Sequence, residues 1–385
     1  MKIAPTALEK VKAVYTDLSH RARELKAEDK KVIGYMCAYP PLEMLTALEM
    51  VPFRILGDSG QPVSKADACL PSVVCPFVRS SLDLALKGKY DFLDGVLMAH
   101  SCDVVEKTAH IWNIYLKPDF FHFIDVPHST HDAAVTQHRD LLLELKEVLE
   151  KLAERPMTNE VLKKTIKAHN RQRALVRQLY DLRKASPPPI SGVETLKVII
   201  TLMSLPISEG NQLLQEVIEE VKKRKSQDSD RARLLLWGSI LDSGELLEMV
   251  ENLDADLVMD DICTGSRFFW PDVEETDNPL DGLAKRYLVD LKCPRTFRQR
   301  QAGYQASLEN RFGYLRDYAE NWQVDGALLQ SLRYCDIHGY EVPAVKDYFN
   351  SIGLPSLFIE YGYSKSGMAQ LRTRVQAFLE TLDGR

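Results

Sequence analysis

The chain has 385 residues and a formal net charge of −6, and its 45% hydrophobic and 27% charged residues are typical of a globular protein of two or three domains. The acidic balance argues against nucleic acid as the main partner, because phosphate binding favours a basic surface. No apolar run is long enough to span a membrane, and residues 1–31 lack the apolar stretch of a signal peptide. We therefore expect a cytoplasmic protein with no membrane partner.

The first third of the chain alternates between helical and extended patterns. An amphipathic helix is predicted over residues 1–30, and strands are predicted at residues 32–36, 51–56, 92–98 and 120–124. Helices are expected between these strands. Strands that alternate with helices indicate a parallel sheet that is covered on both faces. We predict an N-terminal α/β domain over residues 1–130, which includes the first helix.

Residues 131–228 are predicted to form a helical segment. The pattern is helical and strongly charged from His131 to Lys184, with Thr158 as the predicted N-cap of a helix. The run Ser186-Pro187-Pro188-Pro189 must interrupt this pattern, because proline lacks an amide proton and restricts the residue before it. Two further helices are expected before the pattern changes again.

The alternation resumes over residues 229–385, which form the predicted C-terminal α/β domain. Strands are predicted at residues 234–240, 256–261, 324–332 and 357–361, and a final helix is predicted from about Ser366. The predicted fold class is therefore α/β. It has two pseudo-repeated domains, whose mostly parallel sheets are flanked by helices, and the helical segment between them.

Two short motifs recur in the same order in the two α/β halves. The first half contains Leu93-Asp94-Gly95-Val96-Leu97 and then Ser101-Cys102-Asp103. The second half contains Val324-Asp325-Gly326-Ala327-Leu328 and then Tyr334-Cys335-Asp336. In each half a further strand follows and ends in an acidic residue. This order predicts a pseudo-repeat in which one cysteine of each half lies where a strand turns into a helix.

Such a position favours chemistry at the cysteine. In open α/β sheets ligands gather at the carboxyl ends of strands, where the next helix presents free amides and the positive end of its dipole. A thiolate forms more easily there, and amides directed at sulfur stabilise a reduced iron–sulfur centre. Cys75 precedes Pro76, so it too is predicted to lie at a helix start.

Cys75, Cys102 and Cys335 are the candidate metal ligands of the chain. Three loops can converge on a cleft between two domains, and thiolates suit iron and zinc. Three unrelated core cysteines explain the same spacing equally well, because the sequence contains no compact CxxC pair. The odd number of cysteines, without a signal peptide, argues against a disulfide framework.

Other residues are weaker candidates. Cys37, Cys263 and Cys293 are additional candidate ligands, although buried thiols are the simpler interpretation, and Cys69 lies in no motif. Glu43 is a candidate acid/base group at a helix start, where glutamate is also common for dipole reasons alone. The arginines considered for phosphate binding are Arg79, Arg267, Arg286 and Arg295. The sequence has no GxxxxGK[ST] loop and no GxGxxG after a strand, so ATP hydrolysis and the usual form of NAD binding are not expected.

Several motifs, taken in order, resemble a known family. They are Met36-Cys37-Ala38-Tyr39-Pro40-Pro41-Leu42-Glu43, Cys75-Pro76, Ser101-Cys102-Asp103, Cys335-Asp336 and the final stretch from Gln370 to Glu380. Together they resemble the catalytic-component subunits of benzoyl-CoA reductases and 2-hydroxyacyl-CoA dehydratases over nearly the whole chain. Residues 260–269 and 278–288 look most like the smaller of the benzoyl-CoA reductase catalytic subunits, which is the C-type one.

The resemblance implies a 4Fe–4S cluster held by Cys75, Cys102 and Cys335 in the cleft between two α/β domains. It also implies an acyl-CoA substrate, a related second catalytic subunit that completes a heterodimer, and a separate ATP-hydrolysing iron–sulfur activator as the electron source. The implied reaction is reduction of an aromatic acyl-CoA thioester, which dearomatises the ring. Glu43 is then the candidate for proton handling.

Four alternatives stay open at this point. The chain resembles a 2-hydroxyacyl-CoA dehydratase subunit almost as closely, and such a subunit performs radical dehydration. It also resembles double-cubane cluster proteins, for which Cys37, Cys263 and Cys293 are the extra ligands, although the double-cysteine motif expected around Cys293 has only one cysteine here. An electron relay without a substrate and an acyl transferase with a cysteine nucleophile are the remaining two. The last would need a histidine positioned against Cys75 or Cys102.

Overall fold

Two four-stranded sheets form the frame of the protein, which a computed structural model describes over residues 4–224, 230–364 and 367–383. The first sheet contains β1 (Val32–Tyr35), β2 (Val51–Arg54), β3 (Gly95–Ala99) and β4 (Phe120–Ile124). The second contains β5 (Ala232–Gly238), β6 (Ala255–Asp261), β7 (Gly326–Leu332) and β8 (Ser356–Tyr361). The strand orders are β2-β1-β3-β4 and β6-β5-β7-β8, and every pairing is parallel. The equivalent orders confirm the predicted pseudo-repeat and fold class.

Helices connect and cover the strands. Those that precede or accompany the first sheet are α1 (Ala7–Thr16), α2 (His20–Ala27), α3 (Leu42–Ala47), α4 (Pro76–Leu86) and α5 (Asp103–Leu116). Four helices lie between the sheets in the chain, namely α6 (Asp132–Ala153), α7 (Asn159–Leu182), α8 (Gly192–Leu202) and α9 (Ile207–Val221). The second half adds α10 (Glu245–Glu251), α11 (Ser266–Phe269), α12 (Pro279–Lys285), α13 (Tyr304–Asn321), α14 (Asp336–Ser351) and α15 (Met368–Asp383). A π-helical turn, Arg286–Asp290, follows α12 directly.

The single helix predicted over residues 1–30 is wrong, because the structure has two helices there. The Oδ1 atom of Asp17 accepts hydrogen bonds from the backbone amide of Ser19 at 3.1 Å and from its hydroxyl at 2.6 Å. Such local side-chain hydrogen bonds compete with helical ones and end α1. The predicted cap at Thr158 is confirmed, since its hydroxyl accepts the amide of Val161 at 3.3 Å.

The repeated Asp-Gly motif fastens the start of the central strand in each half. The Oδ2 atom of Asp94 accepts the Val32 amide at 2.7 Å, and that of Asp325 accepts the Arg233 amide at 2.8 Å. The amides of the two aspartates donate back to the carbonyls of the same two residues, each at 2.8 Å. The glycine that follows is needed for space, because a Cβ atom at Gly95 would lie 2.5 Å from the Phe120 carbonyl oxygen.

The helical segment packs into the same apolar core as the two sheets. Tyr35 of the first sheet, Leu145 of α6, Leu179 of α7 and Trp237 of the second sheet are all buried in one cluster. The domain boundaries predicted after residues 130 and 228 stay predictions, and the second boundary, like the predicted helix start at Ser366, lies outside the described residues. Within the described part of the chain, no helix combines the length and apolar character that a membrane crossing requires.

Candidate metal centre

A cavity of about 80 Å³ brings together six of the seven cysteines of the chain. They are Cys37, Cys75, Cys102, Cys263, Cys293 and Cys335, and the remaining wall is mostly apolar. Four of these cysteines come one to three residues after the end of a strand, namely Cys37, Cys102, Cys263 and Cys335 after β1, β3, β6 and β7. The carboxyl ends of both parallel sheets therefore meet at this cavity, which is where ligands of such sheets are expected.

The three predicted ligands form one group, and each is the N-cap of a helix. Cys75 precedes α4, Cys102 precedes α5, and Cys335 precedes α14. Backbone amides in the first turn lower the pKa of the neighbouring thiol, those of Phe77 and Val78 at Cys75, those of Val104 and Val105 at Cys102, and that of His338 at Cys335, although burial outweighs them. Three helix N-termini therefore direct partial positive charge toward the same small space.

A second group consists of Cys37, Cys263 and Cys293. Cys37 has a φ of 69°, in the left-handed region, and its carbonyl oxygen accepts a hydrogen bond from the guanidinium of Arg54. Electrostatic interactions couple Cys263 to both other members of the group. The two groups also interact with each other. Besides burial, electrostatic repulsion from Cys37 raises the pKa of Cys102, and repulsion from Cys263 raises the pKa of Cys335. The six sulfurs thus form one continuous cluster of donors.

Burial dominates the acid–base behaviour of these thiols. It raises the pKa of Cys75 to about 11 and that of Cys102 to about 12, and it also raises the pKa values of Cys335, Cys263 and Cys293. Without a cation these five thiols retain their protons at neutral pH. A bound metal would replace those protons, because metal binding requires thiolates. Six soft sulfur donors exceed the four that a single tetrahedral zinc ion accepts, and they fit iron–sulfur ligation.

The guanidinium of Arg267 is a buried cation that contacts the second group directly and the first group through His338. Arg267 places its Nη1 atom 3.5 Å from the Cys263 sulfur and 2.9 Å from Nε2 of His338. Nδ1 of His338 lies 3.4 Å from the Cys335 sulfur. Burial and then Arg267 hold the pKa of His338 well below its usual value. The histidine is therefore neutral. Because Nε2 accepts a hydrogen bond from Arg267, the ring proton is on Nδ1, and this nitrogen cannot take a proton from Cys335.

This geometry argues against a cysteine nucleophile. A histidine base must offer a free ring nitrogen to the thiol, and among the described residues the one histidine that touches a sulfur of the cavity directs its protonated nitrogen at that sulfur. Cys75 and Cys102, the cysteines considered for this role, have no hydrogen bond to a histidine in the described part of the chain. The cavity thus offers soft donors that suit a metal and lacks, among the described residues, the histidine base that a cysteine nucleophile requires.

Glu43 lies outside the residues that line the cavity. It is fully buried, and its carboxylate pairs with Arg173 and accepts the Tyr287 hydroxyl at 2.7 Å. Burial alone would raise the pKa of Glu43, but Arg173, His169 and Arg286 lower it to about 2. Such a group stays ionised and is a poor proton donor. Its proton-handling role stays a prediction, while its contacts favour a structural role between α3, α7 and the π-helical turn.

The other predicted candidates are distributed over the surface and the core. Arg79 pairs with Asp67, and Arg286 donates to the carbonyls of Pro271 and Phe268. Cys69 is not among the residues that line the cavity. The convergence of Cys37, Cys263 and Cys293 with the first group was missed as the main interpretation. The sequence signals for them were their position after strand ends or before a proline and the resemblance to double-cubane cluster proteins.

The fold and the cavity define a two-sheet α/β protein with a buried polycysteine site. The chain belongs to the family described as 2-hydroxyglutaryl-CoA dehydratase, D-component, whose match covers residues 37–382. The predicted resemblance is thereby confirmed.

Curated relatives match almost end to end. The chain is 27% identical to the C subunit of benzoyl-CoA reductase from Thauera aromatica, with 97% of each chain covered. It is 26% identical to the (R)-phenyllactyl-CoA dehydratase beta subunit of Clostridium sporogenes, with 94% of each covered. It is 24% identical to the beta subunit of (R)-2-hydroxyglutaryl-CoA dehydratase from Acidaminococcus fermentans, over 93% of this chain and 94% of the relative. These relatives are subunits of enzymes that act on acyl-CoA thioesters.

Proposed function

We propose that the chain is the iron–sulfur subunit of a low-potential reductase, in which all six cavity cysteines hold a double-cubane cluster. The observation that carries this proposal is the convergence of six cysteines on one cavity, three of which are N-caps of helices and three of which are not. A single 4Fe–4S cubane takes at most four protein sulfurs, so it would leave at least two buried thiols of the cavity without a metal partner. Two linked cubanes with three cysteines each use every sulfur.

Cys37 supplies the third sulfur that the double-cubane proposal needs beside Cys263 and Cys293. A double-cysteine motif is expected around Cys293, and the sequence has one cysteine there. Cys37 interacts electrostatically with both Cys263 and Cys293, so it completes the second group of three from another part of the chain. The second group is thereby as large as the first.

The chain's own residues have three tasks in this proposal. The amides at the starts of α4, α5 and α14 stabilise negative charge on the first group of sulfurs. The apolar wall, which includes Phe77, Ile240 and Leu332, excludes water from the centre. The cluster, when bound, supplies one-electron transfer at low potential. An ATP-hydrolysing iron–sulfur activator would provide the electrons, because the sequence lacks a phosphate loop of its own.

Iron and acid-labile sulfide measured on anaerobically purified protein test the proposal. We expect about eight iron atoms per chain, and a loss of iron in Cys75→Ala, Cys102→Ala, Cys335→Ala and also in Cys37→Ala, Cys263→Ala and Cys293→Ala. Cys69→Ala is the matched control and should keep its iron. About four iron atoms that depend only on the first group would support a single cubane. Absence of iron even after reconstitution would overturn both forms of the proposal.

A second candidate function is the turnover of an acyl-CoA thioester by the same centre, as the names of the relatives suggest. The cysteine cavity is too small for such a molecule, since ligand pockets usually measure about 300–1,000 Å³. A larger cavity of about 700 Å³ begins at Pro294, directly after Cys293. Arg295, in the wall of this cavity, is two positions after Cys293 in the chain. Its Cα atom is therefore within about 7 Å of the Cα atom of Cys293.

The larger cavity is basic and partly aromatic. Arg311 is held by Glu341, and Arg295 donates to the carbonyls of Val126 and Pro127. Arg298 and Arg300 form no ion pair with any carboxylate in the described ranges. Phe297 is 47% exposed and Tyr304 is 58% exposed at the same cavity. Guanidinium groups without a carboxylate partner, beside exposed rings, suit the phosphates and the adenine of CoA. A related second subunit would then complete the site.

Calorimetric titration with CoA tests the larger cavity. We expect Arg298→Glu/Arg300→Glu to bind CoA about 10- to 100-fold more weakly than the wild type, because two charge-assisted hydrogen bonds are lost. Arg372→Glu, on an exposed position of α15, is the control and should bind as the wild type does. Equal binding by both variants would show that Arg298 and Arg300 of the larger cavity do not bind CoA. It would leave the proposal for the cysteine centre unaffected.

A further inference from the structure

The buried Arg267 contacts Cys263 of the second group directly and reaches Cys335 of the first group through His338. Its Nε and Nη2 atoms form a two-pronged ion pair with Asp261, each at 3.0 Å. Its Nη1 atom donates to the Gly238 carbonyl at 2.9 Å and to Nε2 of His338 at 2.9 Å, and it lies 3.5 Å from the Cys263 sulfur. The cation is thus fixed by the ends of β5 and β6, with one face toward the sulfurs.

These contacts determine the tautomer of His338. A guanidinium group has donors only, so Nε2 of His338 must act as the acceptor of the 2.9 Å contact. A neutral imidazole then carries its proton on Nδ1, the atom that lies 3.4 Å from the Cys335 sulfur. His338 therefore donates a hydrogen bond to Cys335. Arg267 is thus linked through His338 to the Cys335 sulfur of the first group. It also contacts the Cys263 sulfur of the second group directly.

We propose that Arg267 and His338 are positioning residues that set the reduction potential of the metal centre through Cys263 and Cys335. The inference rests on the proposed function, because it requires a cluster on these sulfurs. Reduction adds negative charge, and a hydrogen bond or a cation at a ligand sulfur stabilises that charge and raises the potential. The effect is large where water is excluded, since charges interact more strongly at low dielectric constant.

The negative charge of Asp261 reduces the influence of Arg267 on the reduction potential. Asp261 balances the charge of Arg267 and is in turn fixed by the Tyr314 hydroxyl, which donates to its Oδ2 atom at 2.8 Å. The ion pair is therefore a dipole whose positive end faces the cysteines. Because Arg267 contacts Cys263 directly and Cys335 through His338, we expect it to act on the potentials of both halves of the centre in the same direction.

Redox titration of the iron-loaded protein, followed by electron paramagnetic resonance, tests the proposal. We expect His338→Ala to retain its iron and to shift at least one reduction wave to more negative potential, because the Cys335 sulfur loses a donor. His338→Asn retains an N–H group near the Nδ1 position and should stay closer to the wild type. An unchanged potential in an iron-replete His338→Ala variant would overturn the inference.

A second measurement separates this inference from the proposed function. Nitrogen-15 spectra of histidine-labelled, metal-free protein report which ring nitrogen of His338 carries the proton, with His338→Ala identifying the signal. We expect the proton on Nδ1. A proton on Nε2 would refute the hydrogen-bonded link from Arg267 through His338 to Cys335 whatever the iron content is. A correct tautomer in a chain that binds no iron would instead refute the proposed function and, with it, any control of a potential.

Discussion

Replacing Glu43 with glutamine is expected to lower the free energy of unfolding by about 3–5 kcal/mol, which is the usual effect of breaking a buried ion pair. The substitution keeps the size of the side chain but leaves the Arg173 guanidinium, which is 4% exposed, without its counter-charge. The hydrogen bond from Tyr287 would also be weakened. Urea denaturation of the metal-free protein measures the effect.

The pH dependence of this stabilisation follows from the lowered pKa of Glu43. Its pKa is about 2 in the folded protein, against an ordinary value of 4.5. A carboxyl group with a depressed pKa stabilises the folded state above its unfolded pKa and loses this contribution as the pH falls toward the folded pKa. The wild type should therefore lose its advantage over Glu43→Gln between about pH 4.5 and pH 2.

Glu49→Gln is the matched control for this experiment. Glu49 is exposed, and it pairs with Lys30 and Arg155 at the surface, so its replacement should change stability much less. If Glu43→Gln is as stable as Glu49→Gln, the buried pair is not a structural element. If it is stable and loaded with iron but has lost a proton-dependent step, the catalytic role predicted from the sequence would be supported instead.

Replacing Arg267 with leucine is expected to destabilise the metal-free protein by a similar amount, about 3–5 kcal/mol. The Asp261 carboxylate would remain buried after losing a partner that contacts both of its oxygens. The Gly238 carbonyl and Nε2 of His338 would also lose their donor. The second variant to compare is Arg267→Leu/Asp261→Asn, in which no unpaired charge is left, and it should recover part of the loss.

The control for Arg267 is Arg300→Leu at an exposed position of the basic cavity. Its effect on urea denaturation should be close to zero, because surface substitutions usually change stability little. Equal stability of Arg267→Leu and Arg300→Leu would show that the buried pair contributes nothing. Failure of the double variant to recover any stability would show that the packing of Arg267, and not its charge, is what matters.

The sequence by itself was sufficient to predict the two sheets, their repeat and the position of Cys75, Cys102 and Cys335 at helix starts. Alternation of short apolar strands with helices is a local pattern, and all eight predicted strands overlap the observed ones. The repeated Asp-Gly motif also acts locally, because each aspartate fastens the neighbouring strand in its own half. The position of Cys102 and Cys335 at helix starts follows from the same order of elements.

Only the tertiary structure decided how the remaining residues meet. Cys37 and Cys293 are far apart in the chain. They come together because Cys37 follows β1 at the carboxyl edge of the first sheet, and the loop after the π-helical turn brings Cys293 to the same cavity. Glu43, predicted as an acid/base candidate, lies in the first turn of a short helix whose buried face contacts α7, so its charge is neutralised there by Arg173. Arg267 and His338 lie on helices that follow β6 and β7 of the second sheet, and their contact depends on the register between distant strands. Spacing along the chain does not encode such contacts, because they arise only when separate elements pack.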